Sequence, residues 1–206
     1  KITKKEMQGI PHYLLDVVSP KTKFNAAQYQ KMAKKAIEKI QKKNKIPFLV
    51  GGTGFYIQSV VDNVPLPKVK PNWKLRKNLE KKSVKELFKM LKKLDPKRAK
   101  AIDKNNPRRL IRAIEIAKQL GTVPPLSLPC PQYDVLIIGV KRNPKELKRL
   151  IKDRLLKRLK QKMIKEVEKI HKQGVSWKRL DEFGLEYRYI SRYLQKKISY
   201  EEMLEL

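Results

Sequence analysis

The stretch most able to do chemistry is the turn at residues 49–56, LVGGTGFY. Gly51 and Gly52 allow a tight turn and a close approach of backbone to ligand. Thr53 adds a hydroxyl, and the helix start that follows offers unpaired N–H groups and a positive dipole end to an anion. A turn of this kind at the carboxyl end of a parallel strand is where open α/β sheets bind ligands. Glycine turns of the same composition also serve purely structural ends. It is not a P-loop, because GxxxxGK[ST] occurs nowhere in the sequence.

Three further groups carry charge in suggestive places. In residues 105–121 (NNPRRLIRAIEIAKQLG), Leu110, Ile114 and Ala117 form a buried stripe, while Arg108, Arg112, Glu115 and Gln119 share another face. That face reads either as a solvated one with i,i+3 and i,i+4 ion pairs or as an arginine cluster for RNA phosphates and base edges. Arg154 falls among Leu147, Leu150 and Ile151 on an otherwise apolar stripe. A charge pointing inward needs a partner, either a bound diphosphate or a structural carboxylate. Residues 183–190, FGLEYRYI, combine Phe183, Tyr187, Tyr189 and Arg188. Aromatics with arginine stack on unpaired bases, or pack two helices together.

The elements that must position these groups read as α/β winding. Residues 10–18 predict a short strand, Asn25 caps a helix from Ala26 to about Lys43, and residues 46–50 (IPFLV) are a continuous apolar run of strand length. The glycine turn and a helix to about Val61 follow. A Pro-rich bridge at 62–71 then gives way to residues 72–121, which read as helices broken near Lys82-Ser83, Asp95-Pro96 and Asn105-Asn106-Pro107, with Gly121 as C-cap. After a second Pro-rich bridge at 122–131, residues 133–140 (YDVLIIGV) again read as a buried strand, and one long basic helix spans 144–173. Two short helices close the chain. The expected architecture is therefore a parallel-sheet α/β core, residues 1–64 and 132–206, with an all-helical insertion at 65–131.

Composition limits the function classes. The 206 residues carry 51 Lys+Arg against 20 Asp+Glu, a net charge of +31 that favours a polyanionic partner. Most of the excess is Lys, which solvated helix faces also absorb cheaply. No apolar run approaches the ~20 residues of a membrane span, and no signal peptide is legible. The single Cys130 excludes an internal disulfide and a Cys-cluster zinc site, and with only His12 and His171 the sequence argues against a protein-ligated transition metal. A cytoplasmic setting is expected.

Taken in order, GIPHYLLDVVSP (9–20), FNAAQY (24–29), PFLVGGTGFYI (47–57), LDPKRAKAID (94–103), NNPRRLIRAIEI (105–116), GLEYR (184–188) and ISYEEM (198–203) resemble the tRNA dimethylallyltransferases, over nearly the whole chain. The resemblance implies transfer of a dimethylallyl group from dimethylallyl diphosphate to N6 of adenine 37 in tRNA. It also implies a fold similar to P-loop kinases, with a helical insert that grips the anticodon stem-loop. Thr53, with Gly51 and Gly52, matches the substrate turn, and Arg154 the diphosphate-holding arginine. Arg76, the stretch Arg108, Arg109, Leu110, Ile111 and Arg112, and the loop of Phe183, Gly184, Tyr187 and Arg188 match tRNA-contacting positions. Mg²⁺ is the implied cofactor, with its site outside these residues, and a monomer is the implied state. The family's nucleotide-binding P-loop and the aspartate expected as general base would lie upstream of Lys1, and an AKRQ-like segment with a Trp beyond Leu206. Lys162 stands where the family has glycine. These 206 residues alone are expected not to turn over. The alternatives are a non-catalytic RNA-binding remnant and a P-loop kinase for a small metabolite.

Overall fold

The computed structural model describes residues 2–124 and 131–206. Cys130 and most of the second Pro-rich bridge lie outside the described residues. Twelve helices follow one another there: α1 (Lys4–Met7), α2 (Ala26–Gln41), α3 (Gly54–Val61), α4 (Trp73–Leu79), α5 (Val84–Leu94), α6 (Pro96–Ala101), α7 (Pro107–Leu120), α8 (Pro144–Lys160), α9 (Met163–Lys172), α10 (Trp177–Asp181), α11 (Leu185–Leu194) and α12 (Tyr200–Glu205). They form two compact units, Ala26–Val135 and a second made of Lys1–Asn25 with Leu136–Leu206.

The expected parallel sheet is not there: among the described residues no strand is formed. Strand-like composition supplies apolar side chains, but a strand also needs a neighbour to take its N–H and C=O groups. Residues 46–50 and 133–140 have none. Ile46, Phe48, Val50, Leu136, Ile137, Ile138 and Val140 are between 76% and 90% exposed. The third expected strand, at 10–18, is broken by the left-handed residues Leu14 (φ 61°) and Asp16 (φ 54°), which no extended segment accommodates.

The helical readings fare better. In the unit Ala26–Val135, α2 packs on α3, where the Gln30 amide donates to the carbonyls of Ser59 (2.5 Å) and Val64 (2.9 Å) and Tyr29 stacks on Tyr56 at 4.7 Å. The core of α4–α7 is Leu79, Leu87, Leu91, Ala99, Leu110, Ile111, Ala113 and Ile114. Its helices start where the sequence offers caps. Ser83 and Glu86 close a reciprocal capping box on α5. Asp95 caps α6 through the Arg98 N–H (2.8 Å) and also accepts from the Val123 N–H (2.8 Å). Asn106 caps α7, with Pro107 at its first position.

The other unit gathers Met163, Val167, Val175, Leu180, Ile190 and Met203, with Trp177, Phe183 and Tyr187 packed around them. Arg179 fastens residues 20–22 to this cluster, donating to the carbonyls of Pro20 (3.2 Å) and Thr22 (2.9 Å) while its guanidinium covers the Phe183 ring. The long helix expected over 144–173 is two helices, α8 and α9. The break falls at Lys162, whose backbone is left-handed (φ 68°, ψ 31°).

Candidate functional site

The glycine turn is laid open. Gly51, Gly52 and Gly54 are not among the residues with positive φ, and a Cβ on any of them would meet nothing within 4 Å. Neither backbone conformation nor internal packing demands glycine here, and the space over the turn is open. Thr53 stands at the N-cap of α3, yet its side chain makes no capping hydrogen bond. An N-cap hydroxyl ordinarily spends itself on the first turn. At this position the exposed hydroxyl and the first N–H groups of α3 are both uncommitted to capping each other.

The segment at α7 divides into three parts. Leu110 and Ile111 lie in the core, so their side chains hold the helix in place. Arg108 and Arg109 are exposed in the first turn, and that turn has no acidic residue. Cations at a helix N-terminus meet the positive end of the dipole, at about 0.3–1 kcal/mol each. Arg112 is different, because it is committed to Glu115.

Glu115 shares in sequence the face of Arg108, Arg112 and Gln119, read there as either solvated with ion pairs or RNA-binding. In the structure it is fully buried, and it does pair with Arg112 at i,i+3. Its position four residues after the buried Ile111 is the signal that could have located it. Oε1 accepts from the Asn72 N–H (2.6 Å) and Arg76 Nε (2.9 Å), and Oε2 accepts from Arg76 Nη2 (2.6 Å) and from Arg112 Nη1. Arg112 Nη2 also donates to the Val69 carbonyl at 3.0 Å. Burial alone would raise the carboxyl pKa. The Arg76 guanidinium, the Asn72 N–H and Arg112 more than offset it and hold the group at about 2. Arg76 also lies over the Trp73 ring, 5.2 Å from its centroid.

In the other unit, the inward orientation expected for Arg154 is not found. No residue of α8 is buried, and the Arg154 side chain is 61% exposed. Its stripe neighbours Leu147, Leu150 and Ile151 are exposed as well, so the stripe has no core behind it to force a charge inward. Arg154 lies 3.8 Å from Glu186, which holds Arg158 more closely at 3.1 Å. Arg158 and Glu186 were not singled out by the sequence, and GLEYR contains no periodic signal that pairs residue 186 with α8.

The aromatic–arginine stretch makes packing and polar contacts within its own unit. Gly184 begins α11 with φ 125°, a conformation that L side chains rarely adopt. Phe183 meets Tyr187 edge-on at 5.7 Å. Burial, together with the hydrogen bond its hydroxyl donates to Glu166 (2.8 Å), pushes Tyr187 up to about 12. Arg188 donates to the Asp181 carbonyl at 3.2 Å and lies 3.5 Å from that carboxylate. Thr53 and Arg154 belong to different units. Among the described residues no group of three or more His, Cys, Asp or Glu could hold a metal ion.

These features define a strongly basic helical protein with exposed arginines and an open helix-start turn. The whole chain, residues 1–206, matches the family model for IPP transferase. The chain belongs to the IPP transferase family. It is 39% identical over 199 residues to tRNA dimethylallyltransferase 1 of Syntrophus aciditrophicus, covering 96% of this chain and 65% of that protein. It is 37% identical over 200 residues to tRNA dimethylallyltransferase 2 of Shewanella sediminis, covering 97% of this chain and 66% of that one. The crystal structure of the full-length tRNA isopentenylpyrophosphate transferase from Bacillus halodurans is similar at a TM-score of 0.66 and 32% identity, covering 100% of this chain and 66% of that chain. A eukaryotic dimethylallyltransferase crystallised acting on tRNA shares the fold, at a TM-score of 0.80 and 23% identity, covering 100% of this chain and 54% of that one. The chain thus spans slightly less than two thirds of its first relatives. No helix of the described residues is long and apolar enough to cross a membrane.

Proposed function

We propose that this chain serves the transfer of a dimethylallyl group from dimethylallyl diphosphate to N6 of adenine 37 in the anticodon arm of tRNA, in the cytoplasm. The observation that carries this reading is the match of residues 1–206 to the IPP transferase family. In the reaction the adenine N6 forms a bond to C1 of the prenyl group, the C1–O bond breaks, and the diphosphate leaves with the electron pair. N6 gives up one proton to a base. Chain residues are assigned to binding: the Gly51-Gly52-Thr53 turn to the reacting end of the donor or the flipped adenine, and Arg154 to the departing diphosphate, whose charge a cation stabilises. Arg108 and Arg109 take RNA phosphates, which would turn an unfavourable pair of first-turn charges into a favourable one. Arg76, Arg112 and the loop of Phe183, Gly184, Tyr187 and Arg188 complete the RNA-facing set. No step is routed through Mg²⁺.

Two measurements test this. Filter binding of a tRNA transcript to the chain at two salt concentrations should show affinity falling steeply with salt, as neutralising several phosphates requires. The full-length gene product should move label from dimethylallyl diphosphate to tRNA, and not to a transcript with adenine 37 replaced. Salt-insensitive binding, or label transfer that ignores adenine 37, would refute the reading.

A further inference from the structure

The buried carboxylate of Glu115 is more than an α4–α7 tie. We propose that Glu115 is a positioning residue that orients Arg76 and Arg112 as a preformed two-arginine seat for RNA phosphates, an inference that rests on the RNA-binding reading above. Both guanidinium groups reach the same oxygen, Glu115 Oε2, Arg76 at 2.6 Å and Arg112 beside it. Two cations do not converge on one point unless an anion sits between them. With one carboxylate for two arginines, the group keeps a net charge of about +1.

The hydrogen-bond inventory shows what remains available. A guanidinium has five N–H donors in a fixed plane. Arg76 spends two on Glu115, and Arg112 spends one on Glu115 and one on the Val69 carbonyl. The other donors sit on side chains that remain 24% and 35% exposed, while Glu115 itself has no exposed surface. The anion is therefore hidden and the cations look outward. The Trp73 ring beneath Arg76 and the Val69 carbonyl that accepts from Arg112 restrict the two planes further. If stability were the whole role, apolar residues in place of the entire Arg76–Glu115–Arg112 group would serve as well as a buried charge. A planar donor held in advance loses less entropy on meeting a phosphate.

The test is Glu115→Gln, which keeps size and one acceptor but removes the charge, read by binding of an anticodon-arm RNA hairpin across a salt series. Circular dichroism at the binding temperature confirms folding. The expected result is affinity about tenfold weaker, with a log–log salt slope shallower by about 1.5, the share of two phosphates. A folded variant with wild-type affinity and slope overturns the proposal while leaving the RNA-binding reading intact. Absence of hairpin binding by the wild-type chain overturns both, which separates the two failures. Should Glu115→Gln not fold, Arg76→Lys decides: it keeps the charge and loses the fork. Severalfold weaker binding supports positioning, and unchanged binding overturns it.

Discussion

Acid titration of Glu115→Gln isolates what the buried carboxylate does for stability. The side chain has an ordinary pKa of 4.5 and is held at about 2 in the fold. A carboxyl so depressed contributes about 3 kcal/mol at neutral pH. The sign follows from proton uptake. The unfolded chain binds the proton first, so the contribution is complete above pH 4.5 and is lost as pH falls toward 2. Glutamine resembles the protonated acid in shape, so wild type and variant should converge at low pH. The assay is urea unfolding followed by circular dichroism at pH 7, 4 and 3. With a urea dependence of ~2 kcal/mol per molar, the variant midpoint should lie about 1.5 M lower at pH 7, and the gap should narrow at pH 4 and again at pH 3. Asp95, also held below the usual carboxylate range by the Arg98 and Val123 N–H groups, adds acid sensitivity to both proteins and cancels in the difference. A gap as wide at pH 3 as at pH 7 would refute the reasoning, because the lost stability would then owe nothing to the ionised carboxylate.

Three further outcomes follow from particular residues. Lys162→Gly should raise stability by up to about 1 kcal/mol, since a left-handed non-glycine residue costs about 1–2 kcal/mol and glycine gives back about 0.5–1 in backbone entropy; a lower melting temperature would contradict it. Replacing Arg108 and Arg109 together by Ala should leave stability equal or slightly higher, by about 0.3–1 kcal/mol for each repulsion removed, while the salt slope of tRNA binding becomes shallower by about 0.7–0.9 per lost phosphate. Thermal melts and filter binding read the two effects separately. Thr53→Val should shift stability by no more than about 0.5 kcal/mol, because no capping bond is lost, yet should impair label transfer by the full-length protein.

The helices were legible because their signals are local. Lys82-Ser83, Asp95-Pro96 and Asn105-Asn106-Pro107 read as breaks between helices, and at each of them a new helix starts behind a side-chain cap, Ser83, Asp95 and Asn106. The strands were misread because their signal is incomplete in a single segment. IPFLV and YDVLIIGV have the side chains of buried strands, but pairing is a property of two segments, and here neither has a ladder partner among the described residues. The Lys162 break was half visible: the family resemblance implies glycine here, a residue suited to left-handed backbone, and φ is 68°. Glu115 was missed because its charge class outweighed its spacing.

The same limit governs the candidate site. The family resemblance assigns Arg76, Arg108, Arg109 and Arg112 to RNA contact and Arg154 to the diphosphate, yet the sequence alone shows only that each is cationic. The fold gives them different states. Arg76 and Arg112 are held at a hidden carboxylate, Arg108 and Arg109 stand in a helix start that repels them, and Arg154 is exposed beside Glu186. Held arginines fix where a phosphate sits, because their donor planes are set before it arrives. Arginines in a repulsive position supply driving force, because an arriving anion removes a cost that the free protein carries. If both sets face the same RNA, deleting the first should blur specificity and deleting the second should weaken binding to any RNA alike. The distinction depends on Glu115, whose carboxylate decides which arginines are fixed.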